Sequence, residues 1–288
     1  MKEKLQFKKE REMGSVLTDL FKFLRLEGKQ LFGLIFKIAG PALLVLVLAY
    51  VFYMQTVFSG FGTIGVSSQP EVFTISFFLA LLLIVIAGMV YYALMYGTIM
   101  YSIKSYINND GVINKKEVTT EIKNDFWNLL GLSFLVTIIL IISAILCFFP
   151  LFYTGVVLST VYAIHVFEKK NITDSISYSF DLIKGEFWMT LLTYVVLFLL
   201  YYFLTSIMQI PQYIYIFSKD FIFSETVSSD PSEMFDWVYI TINAIAIIGQ
   251  YLLYTIIVLS TAFIYFNLNE KKNFTGTMET IESIGTDE

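Results

Sequence analysis

The chain has 288 residues, 57% of them hydrophobic and only 15% charged. Soluble domains carry about 25% charged residues, so a mean hydropathy of +0.70 excludes an ordinary water-soluble fold and predicts an integral membrane protein. The net charge of -5 and the single cysteine, Cys147, give no basis for a nucleic-acid partner, a disulfide framework or a cysteine metal centre.

Residues 1–14 form a mixed-charge arm, "MKEKLQFKKEREMG". Such termini are commonly mobile, and its basic residues suit anionic lipid or a protein partner. Next, Leu17, Leu20, Phe21 and Leu24 share one helical face while Asp19, Lys22 and Arg25 lie off it, which predicts an amphipathic helix leading into an apolar run. A helix needs about 20 apolar residues to cross a bilayer. Six stretches qualify: roughly 31–54, 72–100, 127–148, 151–167, 187–210 and 236–266. The first is expected to stay as an anchor, because no small-residue cleavage site follows a short apolar core. Lys37 lies about two turns inside it, with a stem long enough to snorkel. Gly40 and Pro41 predict a kink that frees a carbonyl.

The phrase "IKNDFW", residues 122–127, precedes the third span, with Val118, Ile122 and Phe126 at steps of four. Asn114 and Glu117 are spaced to cap that helix. Phe149 and Pro150 divide the following apolar run, which predicts a tight hairpin rather than one overlong tilted helix. The phrase returns as "IKGEFW", residues 183–188, after Ile172, Ile176, Phe180 and Ile183 at helical spacing. Both copies read as surface helices that bend into the bilayer, with Phe126, Trp127, Phe187 and Trp188 as anchors at the bend and Trp237 at the opposite interface. "QYIYIFSKDFIF", residues 212–223, reads either as a strand-like or re-entrant cover or as a plain aromatic belt. In the last span Asn243 and Gln250, with the Ser159-Thr160 and Ser260-Thr261 pairs, either line a polar path or bond packed helices together. Ala93 with Gly97, and Gly155 with Ser159, have the spacing for close helix approach.

Charge fixes an expected orientation. Of 19 Lys and Arg, 18 fall on one side of this six-span topology and only Lys219 on the other, which predicts cytoplasmic N- and C-termini. Glu71, Asp220, Glu225, Asp230, Glu233 and Asp236, with Pro70, Pro150, Pro211 and Pro231, occupy the opposite connections. The repeat extends beyond the phrase: at the same offset of 61, Tyr101 matches Tyr162 and Asp125 matches Glu186. "VLSTVYAIHVFEKKN", ending at Asn171, is echoed by "VLSTAFIYFNLNEKKN", ending at Asn273. The expected fold is all-α: a membrane domain over 15–266 of three helical hairpins, each introduced by a cytoplasmic amphipathic helix, with pseudo-repeats near 15–108, 109–170 and 171–270 and a tail over 267–288.

"REMGSVLTDLFKFLRLEGKQLFGLIFKIAGPALL" and "SYSFDLIKGEFWMTLL" resemble the bacterial membrane-domain family named after glycerophosphoryl diester phosphodiesterases, here through Ser179, Phe180, Leu182, Lys184, Gly185, Phe187 and Trp188. The resemblance implies a six-span domain of a bacterial cytoplasmic membrane. It implies no phosphodiesterase activity, since in the namesakes that belongs to a separate soluble domain. Members often carry a basic residue where Tyr178 stands.

The inventory for chemistry is thin. His165 is the only histidine, placed to bind a proton or headgroup or simply to make a local hydrogen bond, and it has no recognisable triad partners. No metal set, P-loop or dinucleotide fingerprint is present. The expected function is a non-enzymatic protein that organises lipid or a membrane-protein partner, without cofactor. The alternative is a carrier for a lipid or amphipathic solute.

Overall fold

The computed structural model describes residues 4–61, 74–146, 148–222 and 236–284. Among them are eleven α-helices and no strand: α1 (Met13–Ile38), α2 (Gly40–Phe61), α3 (Ile75–Asn108), α4 (Lys115–Leu146), α5 (Phe148–Leu158), α6 (Val161–Glu168), α7 (Ile172–Ile183), α8 (Phe187–Ile222), α9 (Trp237–Leu253), α10 (Thr255–Asn273) and α11 (Thr275–Ile284). Among the described residues, six stretches are long and apolar enough to cross a membrane: Gly40–Val57, Ile75–Asn108, Lys115–Leu146, Phe149–Glu168, Phe187–Lys219 and Trp237–Asn273. The protein is a polytopic, all-α membrane protein. Cys147, Pro70, Glu71, Phe223, Glu225, Asp230, Pro231 and Glu233 lie outside the described residues.

The chain divides into two compact units. The first comprises Met1–Ala39, Tyr92–Phe198 and Thr255–Glu288. Its centre is α10, in which every residue from Thr255 to Phe266 is buried, as expected of a helix apolar all round. α1 packs along α10 through Val16, Leu20, Phe23, Glu27, Leu31 and Leu34, spaced at three and four. That face is rotated from the expected one: Phe21 is exposed, and Leu17 and Leu24 flank the buried stripe half-buried. α4 packs against α5, and α7 touches α4, α5, α6 and α10. Gly97 lets α3 approach α4, since a Cβ there would lie 2.5 Å from Leu129 Cδ1. Gly155 faces open space, so its spacing to Ser159 marks no such approach.

The two copies of the repeated phrase differ in conformation. α4 runs unbroken from Lys115 through Asp125 and Trp127 to Leu146, so the expected bend at the first copy does not exist. At the second copy the helix does stop: α7 ends at Ile183 and α8 begins at Phe187. Gly185, with φ 91°, makes the break, a conformation that glycine alone adopts without steric cost. Asn124 occupies that place in the first copy and stays helical. α7 starts where Asn171 Oδ1 accepts from the Asp174 N–H at 2.9 Å, which satisfies one orphan donor of the first turn. Its fully buried residues are Ser175, Ser179, Leu182 and Ile183, while Ile172, Ile176 and Phe180 are half-buried beside them.

Residues 4–14 of the arm and 267–284 of the tail are folded, contrary to the expectation of a mobile N-terminus. Leu5 and Phe7 are buried, and the Phe7 ring meets Phe23, Tyr106, Phe263 and Phe266 at centroid distances of 5.0–5.9 Å. The Arg11 side chain is fully buried. Its guanidinium donates to Asp19 Oδ2 at 2.9 Å and to the carbonyls of Phe7 at 2.5 Å, Lys9 at 3.1 Å and Gln6. It also stands 5.1 Å over the Phe263 ring. At the other end of the chain, Glu270 accepts from the N–H groups of Gly276 at 2.7 Å and Thr277 at 2.9 Å, so it caps α11. Lys8 pairs with Glu279, and a Cβ on Gly276 would overlap the Lys8 carbonyl.

The second unit comprises Gly40–Tyr91 and Leu199–Tyr254, with α2 packed on α9. α1 closes with the Ala39 N–H on Ile35 O at 2.8 Å, and α2 begins at Gly40, so the chain breaks helix where Gly40-Pro41 predicted. The first candidate spanning stretch starts at Gly40 rather than near residue 31, and Lys37 is an exposed residue of the last turn of α1. α8 carries Pro211 inside it and remains helical to Ile222. Residues 212–222 are thus helix, which removes the strand-like alternative, and Phe223 lies outside the described residues. Exposed apolar side chains such as Leu44, Leu48, Phe78 and Leu82 suit contact with acyl chains.

Candidate functional site

The lysine-rich end of the first unit holds a polar cluster built from three helices. α3 brings Tyr101 and Lys104 in its last turns, α4 brings Asp125 and Asn128, and α6 brings His165. Asp125 Oδ2 accepts from the Tyr101 hydroxyl at 2.8 Å and lies 2.9 Å from His165 Nε2. Its Oδ1 accepts from Asn128 Nδ2 at 2.8 Å. His165 Nδ1 stands 2.7 Å from the Lys170 carbonyl. Both ring nitrogens face acceptors, so a doubly protonated ring satisfies both, and the imidazole ties α6 to α4 and to the start of α7.

Lysines surround this core. Lys104 Nζ donates to Val166 O at 3.0 Å and lies 5.3 Å over the Tyr101 ring. Lys170 Nζ donates to Glu168 Oε2 at 2.6 Å, which pushes the ammonium pKa up from its ordinary value, and it stands 4.3 Å over the Tyr178 ring. The Tyr178 hydroxyl accepts from Asn273 Nδ2 at 2.8 Å, so this tyrosine serves as a meeting point for α7 and α10. Lys169, in the left-handed conformation at φ 54°, is exposed. A cavity of about 550 Å³ opens among these groups, lined by Tyr101, Lys104, Glu121, Asp125, Asn128, His165 and Lys169–Thr173. Against α4, Gly131 admits the Ile172 side chain, since a Cβ there would lie 3.0 Å from Ile172 Cδ1. That packing sets the start of α7 beside the cavity.

The other acid of the repeat is held in a related way. Glu186, 61 residues after Asp125, receives Lys271 Nζ at 2.7 Å. Both line a second cavity of about 540 Å³ with Met189, Thr190, Thr193, Asn267 and residues 10–14. No protein-family model matches this chain, and no match is found among curated proteins or solved structures. Among the described residues, no three His, Cys, Asp or Glu side chains gather to hold a metal.

The remaining residues singled out in the sequence are dispersed. Lys37 and His165 belong to the first unit, and Pro41, Asn243 and Gln250 to the second. Asn243 Nδ2 donates to Gln212 Oε1 at 2.9 Å, and Gln212 Nε2 donates to the Tyr239 hydroxyl at 2.6 Å. The space against Asn243 measures about 10 Å³, no more than a single water needs. At Gln250 it is the backbone carbonyl that is engaged, by the Tyr201 hydroxyl at 3.3 Å. Ser159, Thr160, Ser260 and Thr261 each donate to a carbonyl three residues back. Trp127, Trp188 and Trp237 are 76%, 77% and 76% exposed. The Phe126–Trp127 and Phe187–Trp188 ring pairs have the same centroid separation, 5.4 Å.

Asp125 and Tyr101 were visible in the sequence only as repeat positions, not as partners of His165. Buried Arg11, Glu27 and Glu270 were missed altogether. Only Glu27 left a signal, since it continues the Val16, Leu20, Phe23 spacing. At the far end of α8, Asp236 caps α9 by accepting from the Tyr239 N–H at 2.9 Å. Burial opposes its charge, but hydrogen bonds from Tyr215 at 2.5 Å, the Tyr239 N–H and Lys219 at 3.0 Å outweigh it and hold the carboxyl at about 2.

Proposed function

We propose that this polytopic membrane protein is a non-enzymatic organiser of lipid or partner proteins in a bacterial cytoplasmic membrane, with both termini in the cytoplasm. Six spans would form its body, with α1 and α7 as interfacial helices, in keeping with the membrane-domain family that its sequence resembles. The observation that carries this reading is the Asn243–Gln212–Tyr239 chain. Of the polar side chains that would have to line a solute path, Asn243 is bonded to Gln212 and the Ser-Thr pairs to carbonyls of their own helices, with about 10 Å³ beside Asn243. Interhelical hydrogen bonds of this kind stabilise packed helices in lipid. The ordered arm and tail meanwhile give the lysine-rich end a fixed surface on which a partner can dock.

A carrier for a lipid or amphipathic solute is the second reading, supported by the cavity that reaches Thr190 and Thr193 on α8. Mild-detergent purification, with identification of co-purifying proteins and lipids, separates the two. The organiser reading expects stable co-purifying partners that are lost on removal of residues 1–12 and kept in Asn243→Leu/Gln250→Leu. Solute flux into proteoliposomes that this double variant abolishes would sink it.

A further inference from the structure

We propose that the cavity beside His165 receives the phosphate of an anionic glycerophospholipid headgroup, with the acyl chains laid along α4. The proposal deepens the organiser reading and rests on it. Three lysines, Lys104, Lys169 and Lys170, line the cavity against two acids, Glu121 and Asp125. Asp125 is already occupied by His165, Tyr101 and Asn128, and Lys170 by Glu168. With both ring nitrogens on acceptors, a protonated His165 offsets Asp125, and Lys104 and Lys169 against Glu121 then leave a net positive charge to face a ligand. Lys104 uses one donor on Val166 O and has two more to give.

A membrane lipid rather than a soluble anion is favoured by what adjoins the cavity. Asn128 lines it, and the neighbouring Trp127 is an exposed anchor. From Trp127 an exposed apolar stripe continues along the same face of α4 through Phe134, Ile141 and Ile145, at steps of seven, seven and four. Eighteen residues of helix extend roughly 27 Å, longer than one leaflet of a hydrocarbon core about 30 Å thick. A headgroup in the cavity therefore has a continuous apolar track for its tails, which inorganic phosphate has no use for.

The full-length protein is reconstituted in nanodiscs containing phosphatidylglycerol and phosphatidylcholine, delipidated in mild detergent, and its retained lipid is measured by mass spectrometry. Wild type is expected to retain phosphatidylglycerol preferentially. Lys104→Gln/Lys169→Gln should lower that preference roughly 25-fold, about fivefold for each lysine charge near the surface. Exposed Lys169→Gln alone should lower it about fivefold with an unchanged melting temperature. Lys115→Gln/Lys116→Gln, at the start of α4 and outside the cavity lining, should leave it unaltered. Equal losses in that control, an undiminished preference in the cavity variants, or displacement of the lipid by millimolar inorganic phosphate would each overturn the assignment. Partner retention in the same preparations reports separately on the organiser reading.

Discussion

Replacing Arg11 by alanine should release the N-terminal arm. The side chain is fully buried, and its donors serve Asp19 and the carbonyls of Gln6, Phe7 and Lys9. Hydrogen bonds to a charged group contribute about 1.5–3 kcal/mol each, and removing one partner of a buried ion pair costs about 3–5 kcal/mol. Asp19 keeps Lys9 at 2.9 Å after the substitution, which places the expected loss at the lower end, about 3 kcal/mol. That is roughly a hundredfold rise in the undocked arm. Limited trypsin digestion in mild detergent, read at Lys4, Lys8 and Lys9, should show it as faster trimming, with the rest of the chain intact. Arg11→Lys should fall between, because an ammonium cannot reproduce the planar fork. Cleavage of Arg11→Ala at the wild-type rate would refute the reasoning. Acid should act on the same contact. Burial raises the Asp19 pKa, but hydrogen bonds from Lys9 and Arg11 overcome it and hold the carboxyl below its ordinary value. Its stabilisation is therefore full above the unfolded value of about 4 and is lost as pH falls through the folded one, so trimming should accelerate in acid.

Gly185→Ala should lower the melting temperature, with a cost of about 1–3 kcal/mol at φ 91°, whereas Asn124→Ala in the other copy, inside α4, should be neutral or slightly stabilising. Gly97→Ala should cost about 1–3 kcal/mol by overpacking against Leu129, and Leu129→Ala should recover part of that loss in a double-mutant cycle. Asp236→Asn should remove the acid-sensitive part of the stability, since the folded carboxyl titrates at about 2 and its contribution is lost as pH drops from about 4 towards that value; a thermal melt series against pH reads it. A cysteine at Asn109 should resist membrane-impermeant labelling in intact cells and one at Ser228 should react, and the reverse pattern would invert the topology.

Much of the fold was legible because lipid imposes a length and a composition on every span. The six apolar runs follow from that constraint, and the break at Gly40-Pro41 from the residues themselves, whereas Phe149 and Pro150, expected to turn the chain, lie inside α5. The bend at the repeated phrase was half legible. Periodicity read both copies alike, while the deciding difference is one residue, Gly185 against Asn124. The arm was illegible for a different reason: Arg11 is buried by carbonyls of its own segment and by Phe263, more than 250 residues away, and no local pattern encodes such a cage. His165 was noticed, but its partner Asp125 lies 40 residues back across two helices. Charge pairing at that range is fixed by tertiary packing alone.

The docking of the arm also sets an order of events during synthesis. Phe7 and Arg11 are made some 250 residues before the rings and amide that receive them, Phe263, Phe266 and Asn267. The Arg11 N–H reaches Asn267 Oδ1 at 2.7 Å across 256 residues of chain. Until α10 is in the membrane the arm has nowhere to go, and its buried phenylalanine and arginine stay available to chaperones or lipid headgroups. Closure of this unit thus waits on the synthesis of α10, and a chain stalled before it carries its own unfinished state as a loose, protease-sensitive arm.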